Sequence, residues 1–304
     1  KDNMDAFTPN PDCDLHEIIA HGKKVGVGVI LWLTWRCVEA NPGLFAQFEK
    51  WGVKGVTIDF MDRSDQWMVN FYERTVREAA KYHIFVDYHG AFKPAGLEYM
   101  YPNLLSYEGV VGMEQMGNCK PENSVYFPFM RNAVGPMEYT PGAMNSMQPD
   151  NYSARRPNSA SIGTRAYQMA LFVVFESGLQ MLADNPTLYY NNDDCTRFIT
   201  SVPVLWDDTK VLSAKVGDHV LVAKRNAETW YIGGMTGERE QNLELEITLD
   251  FLPEGQTFTL TSFEDGINAD MQAMHYVKNE RQVKKGDVVK ITMVRNGGYA
   301  AVLK

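Results

Sequence analysis

The strongest constraint on the fold is a change of sequence pattern near residue 203. Before it, short apolar runs rich in β-branched residues alternate with helical runs, which is the pattern of βα units around a parallel sheet. After it, segments with alternating hydrophobicity follow one another with little helix between them, which is typical of an antiparallel β-sandwich. The sequence therefore predicts an α/β domain over residues 1–205 and a β-sandwich domain over residues 206–304.

The composition excludes several classes of protein. With 304 residues, 45% of them hydrophobic, the chain is able to bury a sizeable core. Its net charge of −9 argues against a nucleic-acid partner, which requires a basic face. No apolar run reaches the ~18 residues of a membrane span, so none is expected. The four cysteines are scattered without CxxC spacing, which favours free thiols over a zinc site.

The apolar runs of the first domain predict parallel strands that are buried on both faces. The predicted strands are 24–35, 53–61, 83–90, 108–115 and 179–184, with a weaker one at 135–142 that contains two prolines. Between them, apolar residues at helical spacing predict three helices. The first helix covers 42–51 and ends at Gly52, and the second covers 65–83. The third lies within 161–178, follows a serine N-cap and ends at Gly178.

Side chains that follow the predicted strands are the candidates for chemistry, because a β/α barrel carries its active site at the C-terminal ends of its strands. They are acidic and aromatic, with one histidine: Trp35, Asp59, Asp87, His89, Glu108 or Glu114, Glu138 and Asp184. This composition suits a sugar, since glycoside cleavage uses two carboxyl groups and aromatic rings stack on pyranose C–H groups.

Each candidate also has a structural interpretation. Asp62 and Asp65 are best explained as caps of the following helix. Asp59 lies inside the apolar run, and its position alone leaves open whether it is catalytic. His89 is as readily a supporting residue as a ligand, and Trp35 as readily a core residue. The residues by themselves predict an α/β-barrel hydrolase whose substrates include sugars.

Four blocks of the chain resemble glycoside hydrolase family 97, whose members are α-glucosidases and α-galactosidases. The blocks are "TIDFMDRSDQ" (57–66), "DYHGAFKPAGLEYMYPNLLSYEGVVGMEQ" (87–115), "MEYTPGAM" (137–144) and "LQMLADNP" (179–186). The resemblance extends into the predicted sandwich. It implies an eight-stranded (β/α)8 TIM-type barrel followed by an antiparallel β-sandwich, and an oligosaccharide or α-galactoside as substrate.

The resemblance also implies a mechanism and a set of site residues. Inverting members carry a glutamate where this chain has Gly90, and they lack the aspartate that stands here as Asp59. The chain is therefore similar to the retaining α-galactosidases, which implies Asp59 as nucleophile and Glu114 as general acid/base. Family members bind calcium, and Glu108 matches one of the ligands. Candidates for sugar contacts are Trp35, His89, Lys93 and Asp184.

The predicted barrel departs from the family in one respect. About six strands precede the sandwich, so the N-terminal strands and the N-terminal domain of the same polypeptide are expected to be missing from this chain. The resemblance implies a periplasmic or extracellular location. Two alternatives stay open, an inverting α-glucosidase and a non-catalytic carbohydrate-binding fragment. Metal-dependent amidohydrolase chemistry is the weakest option, because His83 and His89 do not form an HxH pair.

Overall fold

The structure, a computed structural model, describes residues 5–142, 144–153 and 159–304. The chain divides into two compact units. The first contains the residues up to 110 together with 134–138, and the second contains 111–133 and 139–304. These limits differ from the domain limits predicted from the sequence, 1–205 and 206–304, which stay a prediction because compactness alone does not define an evolutionary domain.

The first unit is built on a parallel sheet of four strands in the order β1-β2-β3-β4. The strands are β1 (Ile30–Thr34), β2 (Gly55–Asp59), β3 (Phe85–Tyr88) and β4 (Leu104–Tyr107). The helices are α1 (Leu15–Val25), α2 (Trp35–Ala40), α3 (Leu44–Trp51), α4 (Gln66–Ala80) and α5 (Leu97–Met100). The parallel α/β arrangement predicted from the sequence is confirmed, whereas the eight-stranded barrel stays a prediction.

The two faces of this sheet differ in polarity, because successive side chains of a strand point to opposite faces. One face is apolar and packs against the helices through a buried core that includes Ile58, Tyr88, Tyr107, Phe48 and Phe71. The other face carries polar side chains from the alternate positions, among them Thr57, Asp87 and Ser106, which are all buried. The sheet therefore presents a polar surface on the side away from its apolar core.

Several predicted boundaries in the first unit are corrected by the structure. The run 24–35 is a strand only from Ile30, because α1 extends to Val25 and ends at Gly26, whose φ of +76° suits glycine. The predicted end of α3 at Gly52 and the cap of α4 by Asp65 are confirmed. The weak strand over 135–142 forms a bridge from Met137 to Tyr107.

The second unit combines short helices with antiparallel sheets and one short parallel pair of strands. Its α-helices are α6 (Pro121–Ser124), α7 (Phe127–Met130), α8 (Arg165–Val174), α9 (Pro186–Asn191) and α10 (Asp193–Ser201). Short 3-10 helices occur at Met113–Asn118, Asn132–Val134 and Pro149–Asn151. Its strands are β5 (Ser146–Met147), β6 (Ser161–Ile162), β7 (Asp208–Lys215), β8 (His219–Asn226), β9 (Thr229–Thr236), β10 (Leu243–Thr248), β11 (Thr257–Asp265), β12 (Tyr276–Lys284), β13 (Val288–Met293) and β14 (Gly298–Leu303).

The predicted sandwich is present as two antiparallel sheets. A six-stranded sheet in the order β12-β11-β14-β9-β8-β7 shares a buried core with the β10-β13 pair. The opposite face of the larger sheet packs against α8 and α10. The adjacent residues Trp230 and Tyr231 face opposite sides of β9, because side chains alternate along a strand. Trp230 lies in the core between the sheets and Tyr231 packs with the helices.

Other predictions for the second unit are wrong in detail. Residues 108–115 are not a strand, because β4 ends at Tyr107, Gly109 has a φ of +58°, and a 3-10 helix begins at Met113. The run 179–184 forms a bridge between Gln180 and Tyr139. Helix α8 is capped by Thr164 and ends at Val174, before the predicted Gly178. Helices α9 and α10 were not predicted.

Candidate active site

The candidate site lies on the polar face of the parallel sheet, at the C-terminal ends of its strands. Thr34 pairs with Asp59 in the register of β1 and β2, and the same register continues through His89 and Glu108. Backbone hydrogen bonds from His89 N to Ile58 O, at 2.9 Å, and from Glu108 N to Tyr88 O extend the ladder beyond the strand ends. Four residues from four strand ends therefore form one row along the edge of the sheet.

Asp59, the proposed nucleophile, is buried and held by two N–H donors. Its Oδ2 accepts a hydrogen bond from the Trp32 indole Nε1 at 2.9 Å, and its Oδ1 accepts one from the Phe60 backbone N at 2.5 Å. Phe60 has a φ of +62°, in the left-handed region that costs non-glycine residues energy. Both oxygens are thus oriented by fixed donors, as a positioned carboxylate requires.

Gly90 lies against the Asp59 carboxylate. A Cβ added at Gly90 would meet Asp59 Oδ1 at 2.8 Å and the Phe60 backbone N at 3.1 Å, and Gly90 has a φ of +57°. Side chains cannot be accommodated at such a distance from a carboxylate oxygen without movement. The observed position of Asp59 therefore requires a glycine at residue 90.

His89 connects two buried glutamates. Its Nδ1 lies 2.5 Å from Glu138 Oε2, and its Nε2 lies 3.5 Å from Glu108 Oε1. Since an ionised carboxylate only accepts hydrogen bonds, Nδ1 donates its hydrogen to Glu138. Glu108 Oε2 accepts a hydrogen bond from the Gly90 backbone N at 2.8 Å. The other oxygen of Glu138, Oε1, is buried and has no hydrogen-bond partner among the described residues.

Asp87 lies one row deeper on the same face and is fully buried. Its carboxyl group accepts hydrogen bonds from Ser106 Oγ at 3.0 Å and from Thr57 Oγ1 at 3.4 Å. Burial, reinforced by the nearby Glu138 carboxylate, raises the pKa of Asp87 well above its usual range. Asp87 therefore favours the neutral form and supports the row above it from within the sheet.

An open cavity of about 400 Å³ lies at the ends of β1 and β2. Its lining is aromatic and charged: Thr34, Trp35, Arg36, Phe60, Met61, Asp62 and Arg63. Of the predicted sugar contacts, Trp35 lines this cavity and also packs edge-on against Trp67, with ring centroids 5.4 Å apart. Lys93 is exposed in the loop that follows β3. Trp35 thus shares this cavity with Phe60, the residue that follows Asp59.

Two predicted site residues belong to the second unit. Glu114 lies in the first turn of the 3-10 helix Met113–Asn118, where its Oε2 accepts a hydrogen bond from Thr140 Oγ1 at 3.2 Å. Asp184 uses both carboxylate oxygens within the protein. Oδ2 accepts from the Met144 backbone N at 2.5 Å and Oδ1 from Ser159 Oγ at 2.7 Å, so Asp184 fixes loops of its own unit.

Glu108 is chemically suited to the predicted calcium ion. Ca²⁺ takes six to eight oxygen ligands, and a carboxylate is its commonest protein ligand. The Glu108 carboxylate is buried at the sheet edge, where its Oε2 accepts a hydrogen bond from the Gly90 backbone N. His89 offers a nitrogen, which calcium does not favour. Glu108 therefore fits as one ligand of a calcium site.

Two residues at the site were not predicted from the sequence. Trp32 and the Phe60 backbone donate hydrogen bonds to Asp59, but both lie in or beside an apolar run that is typical of a protein core. The period-2 alternation of β1 was the available signal, because it places Trp32 and Thr34 on one face, that of Asp59. Glu138 was identified as a strand-end acid, but its partner His89 was not predictable from residues so far apart in sequence.

The fold and the site define a class of protein. It is an α/β protein that carries buried carboxylates along the C-terminal edge of a parallel sheet and is joined to an antiparallel β-sandwich. Two family models match the chain. The model described as "Glycoside hydrolase 97" matches residues 1–110, and "Glycosyl-hydrolase 97 C-terminal, oligomerisation" matches residues 205–304. The chain belongs to glycoside hydrolase family 97.

Curated relatives support this membership. The chain is 37% identical to a retaining alpha-galactosidase of Bacteroides thetaiotaomicron, over 96% of this chain and 45% of the relative. It is 31% identical to a probable retaining alpha-galactosidase of Streptomyces bingchenggensis, over 94% of this chain and 42% of the relative. The chain thus spans less than half the length of these two curated relatives.

Solved structures agree with the fold. A family 97 enzyme of Pseudoalteromonas in complex with acarbose superposes with a TM-score of 0.86 at 28% identity, over 99% of this chain and 50% of that one. The complex of a variant of a Pseudoalteromonas family 97 enzyme with panose gives a TM-score of 0.85 at 28% identity, with the same coverage. In the described part of the chain, no helix has the length and hydrophobicity needed to cross a membrane.

Proposed function

We propose that the protein containing this chain is a retaining glycoside hydrolase that releases terminal α-linked galactose from oligosaccharides or other α-galactosides. The names of the two curated relatives support this activity. The observation that carries the proposal is the contact between Gly90 and Asp59. An inverting member has a glutamate at position 90, and a Cβ there would come within 2.8 Å of Asp59 Oδ1. The presence of Asp59 in this position therefore favours the retaining mechanism.

The proposed reaction has two steps. An Asp59 carboxylate oxygen attacks the anomeric carbon, and the bond from that carbon to the leaving oxygen breaks while Glu114 donates its proton to that oxygen. In the second step Glu114 removes a proton from water, the water oxygen attacks the anomeric carbon, and the ester bond to Asp59 breaks. Retaining enzymes of this kind hold the two carboxyl groups about 5–5.5 Å apart. His89, Lys93, Trp35 and Asp184 remain candidates for contacts with the sugar.

Further features of the proposal come from the family. The four parallel strands are proposed to be part of a (β/α)8 barrel, whose other strands and N-terminal domain lie in the rest of the polypeptide. Calcium, when bound, would be held in part by Glu108 and would supply positive charge beside the reacting groups. A periplasmic or extracellular location is proposed as well.

The Pseudoalteromonas complexes with panose and acarbose favour a second candidate, because panose is an oligosaccharide of α-linked glucose. In that case the protein would be an α-glucosidase of the same family. An inverting α-glucosidase would use a base other than Asp59. The two candidates therefore differ both in the preferred sugar and in the configuration of the first product.

The experiment compares aryl α-galactosides with aryl α-glucosides and follows the first product by NMR. We expect turnover of the galactoside, with the α-anomer released first. The Asp59→Ala variant should be inactive and should be partly rescued by azide, which replaces the missing nucleophile. Wild-type-like turnover by Asp59→Ala, or the β-anomer as first product, would contradict the retaining mechanism. Binding of galactose by calorimetry without any turnover would instead support a carbohydrate-binding protein.

A further inference from the structure

The indole of Trp32 makes a polar contact with the Asp59 carboxylate. Trp32 Nε1 donates to Asp59 Oδ2 at 2.9 Å, and the Phe60 backbone N donates to Oδ1 at 2.5 Å. The indole N–H is a donor only and does not titrate, so it offers Asp59 the same hydrogen bond at every pH. Together the two donors fix both oxygens of the carboxylate.

The position of Trp32 argues against a role in the core. Trp32 lies in the middle of β1, and it is not part of the buried core of the first unit. In the β1-β2 register it pairs with Thr57, one row deeper than Asp59 on the same polar face. Its ring is braced by the edge of the Phe60 ring, with centroids 5.5 Å apart. Trp32 therefore lies on the polar face of the sheet, and it is explained by the hydrogen bond from its indole N–H to Asp59 and not by packing in the apolar core.

We infer that Trp32 is the positioning residue of Asp59, which it orients through the indole N–H. This inference rests on the proposed function, in which Asp59 is the nucleophile. A hydrogen bond to a charged carboxylate is stronger than one to a neutral ester. In the first step the N–H orients Asp59 but weakens as the carboxylate loses its charge, so the two effects of its loss on that step oppose each other. In the second step, as the bond from the anomeric carbon to Asp59 breaks and its electron pair returns to the carboxylate, the same N–H stabilises the developing charge.

The two steps give the inference a kinetic signature. With an activated aryl α-galactoside, whose first step is fast, the second step limits kcat. Loss of the N–H slows that step, so the galactosyl-enzyme accumulates and both kcat and KM fall. A variant that merely loosens the sheet has no reason to lower KM. Because hydrogen bonds to charged groups are the strong ones, we expect kcat to fall roughly tenfold to a hundredfold.

The experiment uses the full-length protein with two changes at position 32. Trp32→Phe removes the N–H and part of the ring. Replacement of Trp32 by benzothienylalanine, introduced by codon suppression, keeps the shape and removes only the N–H. Trp51→Phe is the matched control, since Trp51 stacks on Phe48 within α3 and has no contact with Asp59. The measurements are kcat, KM and the fraction of galactosyl-enzyme seen by intact-protein mass spectrometry.

The inference predicts that the benzothienylalanine variant lowers kcat and KM together and accumulates the galactosyl-enzyme, while Trp51→Phe leaves all three unchanged. It is overturned if the benzothienylalanine variant keeps kcat and KM within about twofold of the wild type, far less than the change expected for loss of a hydrogen bond to a charged group. It is also overturned if kcat falls without accumulation of the intermediate. Asp59→Ala distinguishes failure of this inference from failure of the proposed function. If Asp59→Ala is inactive and the Trp32 variants are normal, only the inference is wrong.

Discussion

Gly90→Ala is the change that most directly tests the geometry of the site. The new methyl group would lie 2.8 Å from Asp59 Oδ1 and 3.1 Å from the Phe60 backbone N. Ordinary contacts of a Cβ begin at 3.4 Å, so the carboxylate oxygen must retreat by at least 0.6 Å or the chain at residue 90 must move. Neither adjustment is simple, because Asp59 is held by Trp32 and Phe60 and Gly90 donates its N–H to Glu108.

The size of the effect follows from two separate contributions. Alanine at the φ of +57° recorded for Gly90 costs about 1–2 kcal/mol of stability, because its Cβ crowds the carbonyl oxygen in the left-handed region. Displacement of a reacting group by about 1 Å is able to cost about a hundredfold in rate. A movement of 0.6 Å is therefore expected to lower kcat/KM between about tenfold and a hundredfold.

Gly26→Ala is the control that separates these contributions. Gly26 has a φ of +76°, so alanine meets a similar backbone cost, but a Cβ there finds nothing within 4 Å. Urea unfolding should show the backbone cost in both variants and a further loss in Gly90→Ala from the contact with Asp59, and kcat/KM on an aryl α-galactoside should fall only in Gly90→Ala. Equal activity of the two variants would refute the claim that residue 90 must be glycine for Asp59 to act.

Three further predictions follow from buried carboxyl groups. The raised pKa of Asp87 means that its contribution to stability is present at low pH and is lost as the pH rises through the folded-state pKa, so Asp87→Asn should be more stable than the wild type at pH 8 in urea unfolding. Burial raises the pKa of Asp265 to about 7 from a usual 3.8, so the free energy of unfolding should decrease by up to about 4 kcal/mol between pH 4 and pH 7. Asp265→Asn should remove most of this pH dependence of stability, as measured by thermal melts. Removal of calcium by a chelator should lower the activity of the wild type, and Glu108→Gln should weaken the binding of added calcium measured by calorimetry. Unchanged activity after chelation together with unchanged calcium affinity in Glu108→Gln would refute a calcium site at Glu108.

Local patterns in the sequence predicted the elements of the fold where the pattern had one interpretation. Helix α4 was predictable because its apolar residues repeat at helical spacing after the N-cap Asp65, and α3 because Gly52 ends it. The error at 24–35 has a physical cause. A run rich in valine and glycine is compatible with a strand, but the helix before it continues to Val25, and only Gly26 interrupts it.

The candidate site was less predictable, because its contacts join residues that are distant in sequence. The strand-end rule selected Asp59, His89 and Glu108, which do form one row. It did not predict the contact between Glu138 and His89, because the two residues are 49 positions apart. Nor did it predict that the chain returns to the edge of the sheet at Met137, which forms a bridge to Tyr107. For Asp184 the rule selected an acid whose two oxygens are both bound within its own unit.

Asp59 and Asp87 show why the position of an acid along a strand decides its role. Both point to the polar face, and both would be counted as strand-end carboxylates from the sequence. Asp87 lies one row deeper, fully buried between two hydroxyl groups, and burial with the Glu138 carboxylate raises its pKa. Asp59 lies at the edge, where an indole and a backbone amide each donate an N–H to a separate oxygen. Two residue positions on one face are enough to separate an acid buried within the sheet between hydroxyl groups from an acid whose two oxygens are oriented by N–H donors, because the donors change from one row to the next.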